Sequence, residues 1–322
     1  MWKGLLAAAI SSLLVLLLVL AAEFAVRRAR PDINHQDTEL TLLEDNAFGA
    51  TPGFRRNATG VMYGLTIETD AERLVRLRRP ESFDETWVLL GDSVTVGPGV
   101  PTELTYAQLL QDAHPRVRML NYAVIAWSLD NYSDALAVAL ADHPDTSRVL
   151  LFYCLNDIDQ GMTHVPGRPG PIERVRGALR RHSKLYMLLK ELLADRSRDH
   201  WAIHSRPYTE GGAELERAFG LLQRIADQTR AAGVPLTVVL LPFEYQLRGG
   251  PGATYAPQEK VGAELERIGV PVIDLRAAFE ASGQSPKELF LYADAMHLSV
   301  AGHRLVATAL DAQLPSGDPT GR

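Results

Sequence analysis

The chain has few of the residues and patterns that specialised folds require. Cys154 is the single cysteine among 322 residues, so no disulfide can form within the chain and no cysteine-rich metal site can be built. The formal net charge is -6, whereas proteins that bind nucleic acids usually carry a basic excess. The sequence contains no internal repeat, and its histidines show no metal-ligand spacing. We therefore expect a globular protein with no metal, no organic cofactor and no nucleic-acid partner.

One long apolar run stands at the N-terminus. No charged residue occurs from Gly4 to Ala22, and as a helix this run rises roughly 28 Å, enough to cross the core of a bilayer. It could be a cleaved signal peptide, with Val19 and Ala21 before the cleavage site, or a helix packed inside the domain. The length favours a third interpretation, an uncleaved signal anchor. We therefore expect residues 1–26 to span a membrane.

The rest of the chain divides into three further segments. Residues 27–85 are polar and rich in turn signals, which predicts a tether that becomes an irregular extension lying on the domain. Residues 86–314 carry the pattern of a folded domain. The polar tail, residues 315–322, is expected to be disordered.

The domain segment alternates short apolar runs with longer amphipathic stretches. Several runs are apolar at every position, as expected for strands buried on both faces of a sheet. Between the later runs, Ala213–Ala232 has helical periodicity and Gly233 supplies a stop signal. This alternation predicts an α/β fold with a parallel sheet and helices on both faces. The predicted strands are Trp87–Leu90, Val117–Leu120, Val149–Tyr153, Leu236–Leu241 and Val272–Leu275.

A basic amphipathic segment interrupts this alternation. Gly161–Pro171 is rich in glycine and proline and predicts a loop. Glu173–Ala194 combines an apolar stripe with many basic residues, which predicts one surface helix packed on the domain. A lid or a helix lying on a membrane surface is the alternative interpretation.

Three polar stretches carry candidate chemistry. Ser93 follows the first predicted strand and a glycine, at the sheet edge where catalytic groups of parallel α/β folds lie. His297 has the pKa range of a general base, and Asp294, three residues earlier, can turn back onto the imidazole. Asn156 follows the strand that ends at Tyr153, and its amide could donate to an oxyanion. Each stretch alone is more typical of a turn, cap or polar loop.

In their order and location these stretches resemble the GDSL/SGNH hydrolase family, whose serine, glycine, asparagine and Asp-x-x-His blocks follow in this order. The matching stretches are GDSVTVGPGV, NYAVIAWSLDNY, CLND and DAMHLSVAGH. The chain is most similar to the membrane-anchored bacterial branch, in which a hydrophobic N-terminal helix precedes the hydrolase domain. The resemblance implies a flavodoxin-like, three-layer α/β/α fold and a serine esterase.

The resemblance also implies a role for each matching residue. Ser93 would be the nucleophile, His297 the general base and acid, and Asp294 its orienting partner. The oxyanion hole would consist of the backbone N–H groups of Ser93 and Ala123 and the side-chain amide of Asn156.

Four neighbouring residues qualify this assignment. Asp92 and Asp157 would brace the loops rather than react. The family usually has glycine where Ala123 stands, and a backbone donor survives that change unless the position needs positive φ. It also favours glycine where Cys154 stands, and the thiol adds bulk beside the oxyanion hole.

The expected activity is hydrolysis of carboxylic esters, O-acyl or O-acetyl, through an acyl-serine intermediate. The substrate could be an acylated glycan or a lipid. One alternative is an acyltransferase acting on envelope glycans, since only the acceptor of the second step differs. Another is an inactive, membrane-tethered glycan-binding module, which would have no need to keep Ser93, Asp294, His297 and Asn156 together.

The location follows from the apolar run and the resemblance. Arg27, Arg28 and Arg30 come after the run, and by the positive-inside rule they favour a cytoplasmic domain. They outnumber the positive charges before the run by only one, whereas the resemblance is to anchored envelope enzymes. We therefore expect a single-pass membrane protein with its catalytic domain periplasmic or otherwise extracytoplasmic.

Overall fold

The structure is a computed structural model that describes residues 2–167 and 169–314, so the expected disordered tail lies outside the described residues. The strands are β1 (Leu43–Phe48), β2 (Thr51–Phe54), β3 (Thr59–Met62), β4 (Leu65–Glu68), β5 (Glu85–Leu90), β6 (Val117–Asn121), β7 (Thr146–Tyr153), β8 (Leu236–Leu240) and β9 (Val272–Asp274). The helices are α1 (Trp2–Ala29), α2 (Ser93–Val96), α3 (Tyr106–Ala113), α4 (Leu129–Asp142), α5 (Pro171–His182), α6 (Lys184–Leu193), α7 (Arg196–Glu210), α8 (Ala213–Ala231), α9 (Glu244–Leu247), α10 (Ala256–Arg267), α11 (Arg276–Ala281), α12 (Pro286–Leu289) and α13 (Val300–Asp311).

The five predicted apolar runs form one parallel sheet. The strand order is β6-β5-β7-β8-β9, and each neighbouring pair is parallel. This corresponds to the order 2-1-3-4-5 that is typical of flavodoxin-like folds. The central strands are buried over nearly their whole length because helices cover both faces. The predicted α/β fold with a parallel sheet is confirmed.

Two helix pairs form the outer layers. The α3 helix packs against α13, and α4 packs against α8. Because crossovers between parallel strands are right-handed, α3 and α13 cover one face of the sheet and α4 and α8 cover the other. The result is the expected three-layer arrangement, and it places the loops after β5, β6 and β7 together at the carboxyl edge of the sheet.

The N-terminal apolar run forms α1, a helix long and apolar enough to cross a membrane. None of its residues is buried, so the interpretation as a helix packed inside the domain is wrong. Length and composition fit both a signal sequence and an anchor.

The segment after α1 is more regular than the sequence predicts. Two antiparallel hairpins, β1–β2 and β3–β4, replace the irregular extension. Phe48 packs edge-on against Trp127, whose indole N–H donates to the Pro52 carbonyl at 2.8 Å. Tyr63 and Gly64 both have positive φ, as the tight turn between β3 and β4 requires. The hairpins escape a sequence analysis because their strands are short and half polar.

The predicted basic helix is two helices, because the backbone is extended at Ser183. The Ser183 hydroxyl accepts a hydrogen bond from the Tyr186 N–H at 3.0 Å and thereby caps α6. No residue of α5 is buried, and in α6 only Met187 is. The prediction that this segment packs on the domain therefore fails for α5.

Candidate active site

Ser93 lies at the carboxyl end of β5, at the first position of α2. The Asp92 carboxylate caps this turn by accepting the Val94 N–H at 2.8 Å. A Cβ on Gly91 would lie 2.0 Å from Thr95 Oγ1, so the approach to the turn requires glycine. Within the described residues, the Ser93 N–H has no hydrogen-bond acceptor, as expected at the first turn of a helix. The strand therefore presents both the Ser93 hydroxyl and a free backbone donor at the sheet edge.

Asp294 and His297 lie in the loop between α12 and α13. Asp294 Oδ1 accepts the backbone N–H groups of Met296 and His297 at 3.1 Å and 3.0 Å. The carboxylate also lies 2.9 Å from His297 Nδ1 through its other oxygen. The three-residue spacing thus folds the acid back onto the imidazole.

The structure brings Ser93, His297 and Asp294 into one chain of hydrogen bonds. Ser93 Oγ lies 2.8 Å from His297 Nε2, across 204 residues of sequence. The Asp294 carboxylate is an acceptor only, so it places the imidazole proton on Nδ1. His297 Nε2 is then free to accept the proton of the Ser93 hydroxyl.

Burial and charge shift the pKa values of His297 and Asp294 in opposite directions. Burial lowers the pKa of His297, but the Asp294 charge and hydrogen bond outweigh it, so the His297 pKa lies above its usual value. Burial would raise the pKa of Asp294, but the His297 charge and the hydrogen bonds it accepts hold that pKa well below its usual value. Asp294 is therefore ionised at neutral pH, and the protonation of His297 changes as the pH passes through its raised pKa.

Asn156 follows β7 in a short 3₁₀ turn, Leu155–Ile158. Its amide Nδ2 donates to Asp92 Oδ2 at 2.8 Å, which fixes the plane of the amide. Burial raises the pKa of Asp92. A primary amide carries two hydrogens, so one remains for a ligand.

Ala123 lies just after β6, and its N–H donates to Asn121 Oδ1 at 3.1 Å. The expected oxyanion donor is thus already bonded within the protein. Ala123 does not occur among the residues with positive φ, so alanine replaces the family's glycine here without backbone strain.

Asp157 ties the loop after β7 to the domain. One carboxylate oxygen accepts the Cys154 N–H at 2.8 Å, and the other accepts the Tyr132 hydroxyl at 2.7 Å. Asp157 is fully buried, and burial raises its pKa well above the usual value. Cys154 is buried as well and immediately precedes the turn that carries Asn156.

Tyr63 reaches the site from the N-terminal hairpins. Its ring meets the His297 ring edge-on at 5.5 Å between centroids. Sequence analysis missed this residue, because the Tyr63-Gly64 turn signal is recognisable only once the hairpin is known.

Gln36 and Arg196 clamp the backbone before Asp294. The Gln36 amide donates to the Tyr292 carbonyl at 3.1 Å, and Arg196 Nη1 donates to the Ala293 carbonyl at 3.1 Å. Arg196 also donates to Gln36 Oε1. Ala293 is held at a positive φ of 55° between these contacts. The N-terminal extension and α7 therefore position the backbone that leads into Asp294.

A cavity of about 780 Å³ lies beside this clamp. The Arg30 guanidinium stacks over the Tyr292 ring at 4.7 Å, and both residues line the cavity together with Asp294. Asp294 lines the cavity but Ser93 and His297 do not, so the cavity adjoins the carboxylate and not the Ser93 hydroxyl. Its apolar walls include Val100, Leu188, Leu192, Phe290, Leu291 and Val300.

His303 has a structural position, buried between α3 and α13. Its Nδ1 accepts the Tyr106 N–H at 3.1 Å. Burial lowers the pKa of His303 to about 3, so the ring is neutral.

Comparison with known proteins identifies the family of the chain. The sequence profile described as the GDSL-like lipase/acylhydrolase family matches residues 89–305. The chain belongs to this family and is a hydrolase acting on esters. A comparison with curated protein sequences finds no match.

Solved structures of low sequence identity are similar to the chain. LAE5, an alpha/beta hydrolase enzyme from the metagenome of Lake Arreo, has 15% identity and a TM-score of 0.48, over 72% of this chain and 95% of LAE5. A catalytic mutant of Axe2, an acetylxylan esterase from Geobacillus stearothermophilus, has 16% identity and a TM-score of 0.46, over 71% and 93%. The psychrotrophic esterase EstA from Pseudoalteromonas sp. has 13% identity and a TM-score of 0.42, over 70% and 94%.

Proposed function

We propose that the protein hydrolyses O-acyl esters through an acyl-serine intermediate, with Ser93 as nucleophile, His297 as general base and acid, and Asp294 as its orienting partner. The observation that carries this proposal is the continuous hydrogen-bond chain from Asp294 through His297 to Ser93 Oγ. A serine hydroxyl is a weak nucleophile until an adjacent base removes its proton, and His297 Nε2 is placed to do so.

In the acylation step, Ser93 Oγ attacks the ester carbonyl while its proton passes to His297 Nε2. Asp294 stabilises the imidazolium that forms. Collapse of the tetrahedral intermediate breaks the bond to the alcohol oxygen, which takes the proton from His297. In the second step water attacks the acyl-serine in the same way, and Ser93 is regenerated.

Charge on the carbonyl oxygen needs donors in fixed positions. The free Ser93 N–H and the second hydrogen of the Asn156 amide meet this need, with Asp92 holding the amide in place. The Ala123 N–H is a weaker candidate for a third donor, because it would have to share its hydrogen between the substrate and Asn121.

The substrate class follows from the proposed anchoring. With α1 as an uncleaved anchor and the domain outside the cytoplasmic membrane, O-acyl or O-acetyl groups on envelope glycans or lipids are the esters within reach. A reporter that is active only in the cytoplasm, fused after α13, tests the orientation. Strong signal from it would contradict this location and the envelope substrate.

The test of the chemistry compares Ser93→Ala with Ser282→Ala, a serine in another part of the chain. Full-length protein in detergent is assayed on a panel of short and long acyl esters, and a fluorophosphonate probe is used to label the nucleophile. Ser93→Ala should lose about six orders of magnitude in turnover, as in a comparable triad, and should lose probe labelling at this residue. Near-normal hydrolysis by folded Ser93→Ala protein would refute the assignment.

Adding a glycan acceptor to the same assay separates hydrolysis from acyl transfer. A hydrolase releases free acid at an undiminished rate, whereas an acyltransferase diverts the acyl group to the glycan.

A further inference from the structure

The α5 helix presents an apolar stripe that no part of the described chain covers. Ile172, Val175 and Leu179 recur at helical spacing, and their side chains are 69%, 61% and 39% exposed. An amphipathic helix in a globular protein normally buries such a stripe against the core. The exposed stripe is therefore available to a partner outside the described fold.

The C-terminal end of α5 is fastened to α1. Glu23 is the first charged residue after the apolar run of α1, and it accepts the Ser183 hydroxyl at 2.8 Å and the Lys184 N–H at 3.0 Å. Arg27 donates to the His182 carbonyl in the same place. If α1 spans a bilayer, these contacts hold the end of α5 at the level where α1 leaves the lipid.

The charge of α5 indicates which surface it fits. The helix carries Arg174, Arg176, Arg180 and Arg181 against one acid, Glu173. Arg176 pairs with Glu173, and Arg181 pairs with Asp37 of the N-terminal extension. Basic residues beside an exposed apolar stripe are the pattern of helices that lie in the interface of anionic membranes.

We propose that α5 lies on the membrane surface from which α1 emerges, with its apolar stripe at the acyl-chain boundary and Arg174 and Arg176 on anionic phospholipid headgroups. The partner is the bilayer itself. This inference rests on the anchoring part of the proposed function and is independent of the ester chemistry. The domain would then be attached to the membrane at two points, by α1 through the bilayer and by α5 along its surface.

The test uses the full-length protein in nanodiscs that hold one copy each. An environment-sensitive thiol probe is placed at Val175→Cys, and at Asp142→Cys as the matched control; native Cys154 is buried. Asp142 is exposed and lies before the amino end of β7, at the opposite edge of the sheet. In phosphatidylglycerol discs the probe at position 175 should shift to the blue and be quenched by bromine-labelled lipids, whereas the probe at position 142 should remain open to iodide.

Two further arms separate the possible failures. Arg174→Gln combined with Arg176→Gln, or discs of phosphatidylcholine, should weaken the shift at position 175. Equal iodide access at positions 175 and 142, in protein that still elutes with the disc, would overturn the α5 proposal and leave the anchor intact. Protection that appears only when discs hold two copies would overturn it in favour of a second chain. Loss of elution with the disc would overturn the anchor and this proposal together, while ester hydrolysis remains measurable in detergent.

Discussion

Replacing Asp294 with asparagine tests the hydrogen-bond chain at the end farthest from Ser93. Asp294 Oδ1 accepts two backbone N–H groups, so the single oxygen of an asparagine should take that position. Its NH₂ group would then face His297 Nδ1, where the carboxylate now accepts at 2.9 Å. The retained oxygen lies 3.0 Å from Nδ1, but the nearer position would now hold a donor. We therefore expect Nδ1 to become the acceptor and the imidazole proton to move to Nε2. His297 would point a hydrogen at Ser93 Oγ and could no longer accept its proton.

The size of the effect follows from this change of tautomer. The equivalent substitution in a comparable triad lowers kcat by about 10⁴, which corresponds to about 5.4 kcal/mol of transition-state stabilisation. The pH profile should move as well. Asp294 raises the pKa of His297 against the effect of burial, so without its charge burial should leave that pKa below its usual value. Because His297 must be neutral to act as a base, the acid limb of the remaining activity should move to lower pH.

The assay is kcat and kcat/KM for a chromogenic short-chain ester across the acidic and neutral pH range. Asp142→Asn, an exposed carboxylate, is the matched control and should leave both the plateau and the limb unchanged. Circular dichroism checks that the variant is folded. An Asp294→Asn enzyme that keeps most of its plateau activity, or whose acid limb moves to higher pH, would refute this reasoning.

Other substitutions test other parts of the site. Asn156→Ala should lower kcat by roughly 10²–10³, or ~2.7–4 kcal/mol, with little change in KM, because one oxyanion donor is lost; a change mainly in KM would show ground-state binding instead. Arg196→Met should lower kcat by about 10- to 100-fold, because the loop that carries Asp294 would be misplaced. It should also move the acid limb to higher pH, because a positive charge that lowers the His297 pKa is removed; an unchanged limb would show that the Arg196 charge does not act on His297. Gly91→Ala should lower stability by about 1–3 kcal/mol, measured by chemical denaturation, since the new Cβ meets Thr95 Oγ1; normal stability would show that the turn has room.

Local patterns made the central part of the site predictable. Ser93 follows a buried strand, and Asp294 lies three residues before His297, so their neighbourhoods are visible in short stretches of sequence. The parallel sheet then explains why the ends of β5 and β7 bring Ser93 and Asn156 to the same edge. The sheet itself was predictable because buried parallel strands are apolar almost throughout.

The remaining contacts depend on residues far apart in the chain. Gln36 and Arg196 are separated by 160 positions, and neither belongs to a motif. Tyr63 sits in a short, half-polar hairpin with no apolar run to reveal it. The bond from the Ala123 N–H to Asn121 depends on the rotamer of a single side chain. Such features follow from tertiary packing, which no local pattern encodes.

The stacking of Arg30 on Tyr292 ties the end of α1 to the loop that carries Asp294. From Glu23, where the apolar run ends, to Arg30 the chain rises only about 10 Å as a helix. Tyr292 lies two residues before Asp294 and is held 4.7 Å from the Arg30 guanidinium. With α1 in a bilayer, the reactive centre would thus be held close above the headgroups, because no long flexible linker separates it from the membrane. On the proposed anchoring, esters carried on the membrane or on its innermost polymer layer would be accessible to it, whereas those on distant polymers would not. Inserting residues between Arg30 and Gln36 would disrupt the loop that carries Asp294 before it extended that range.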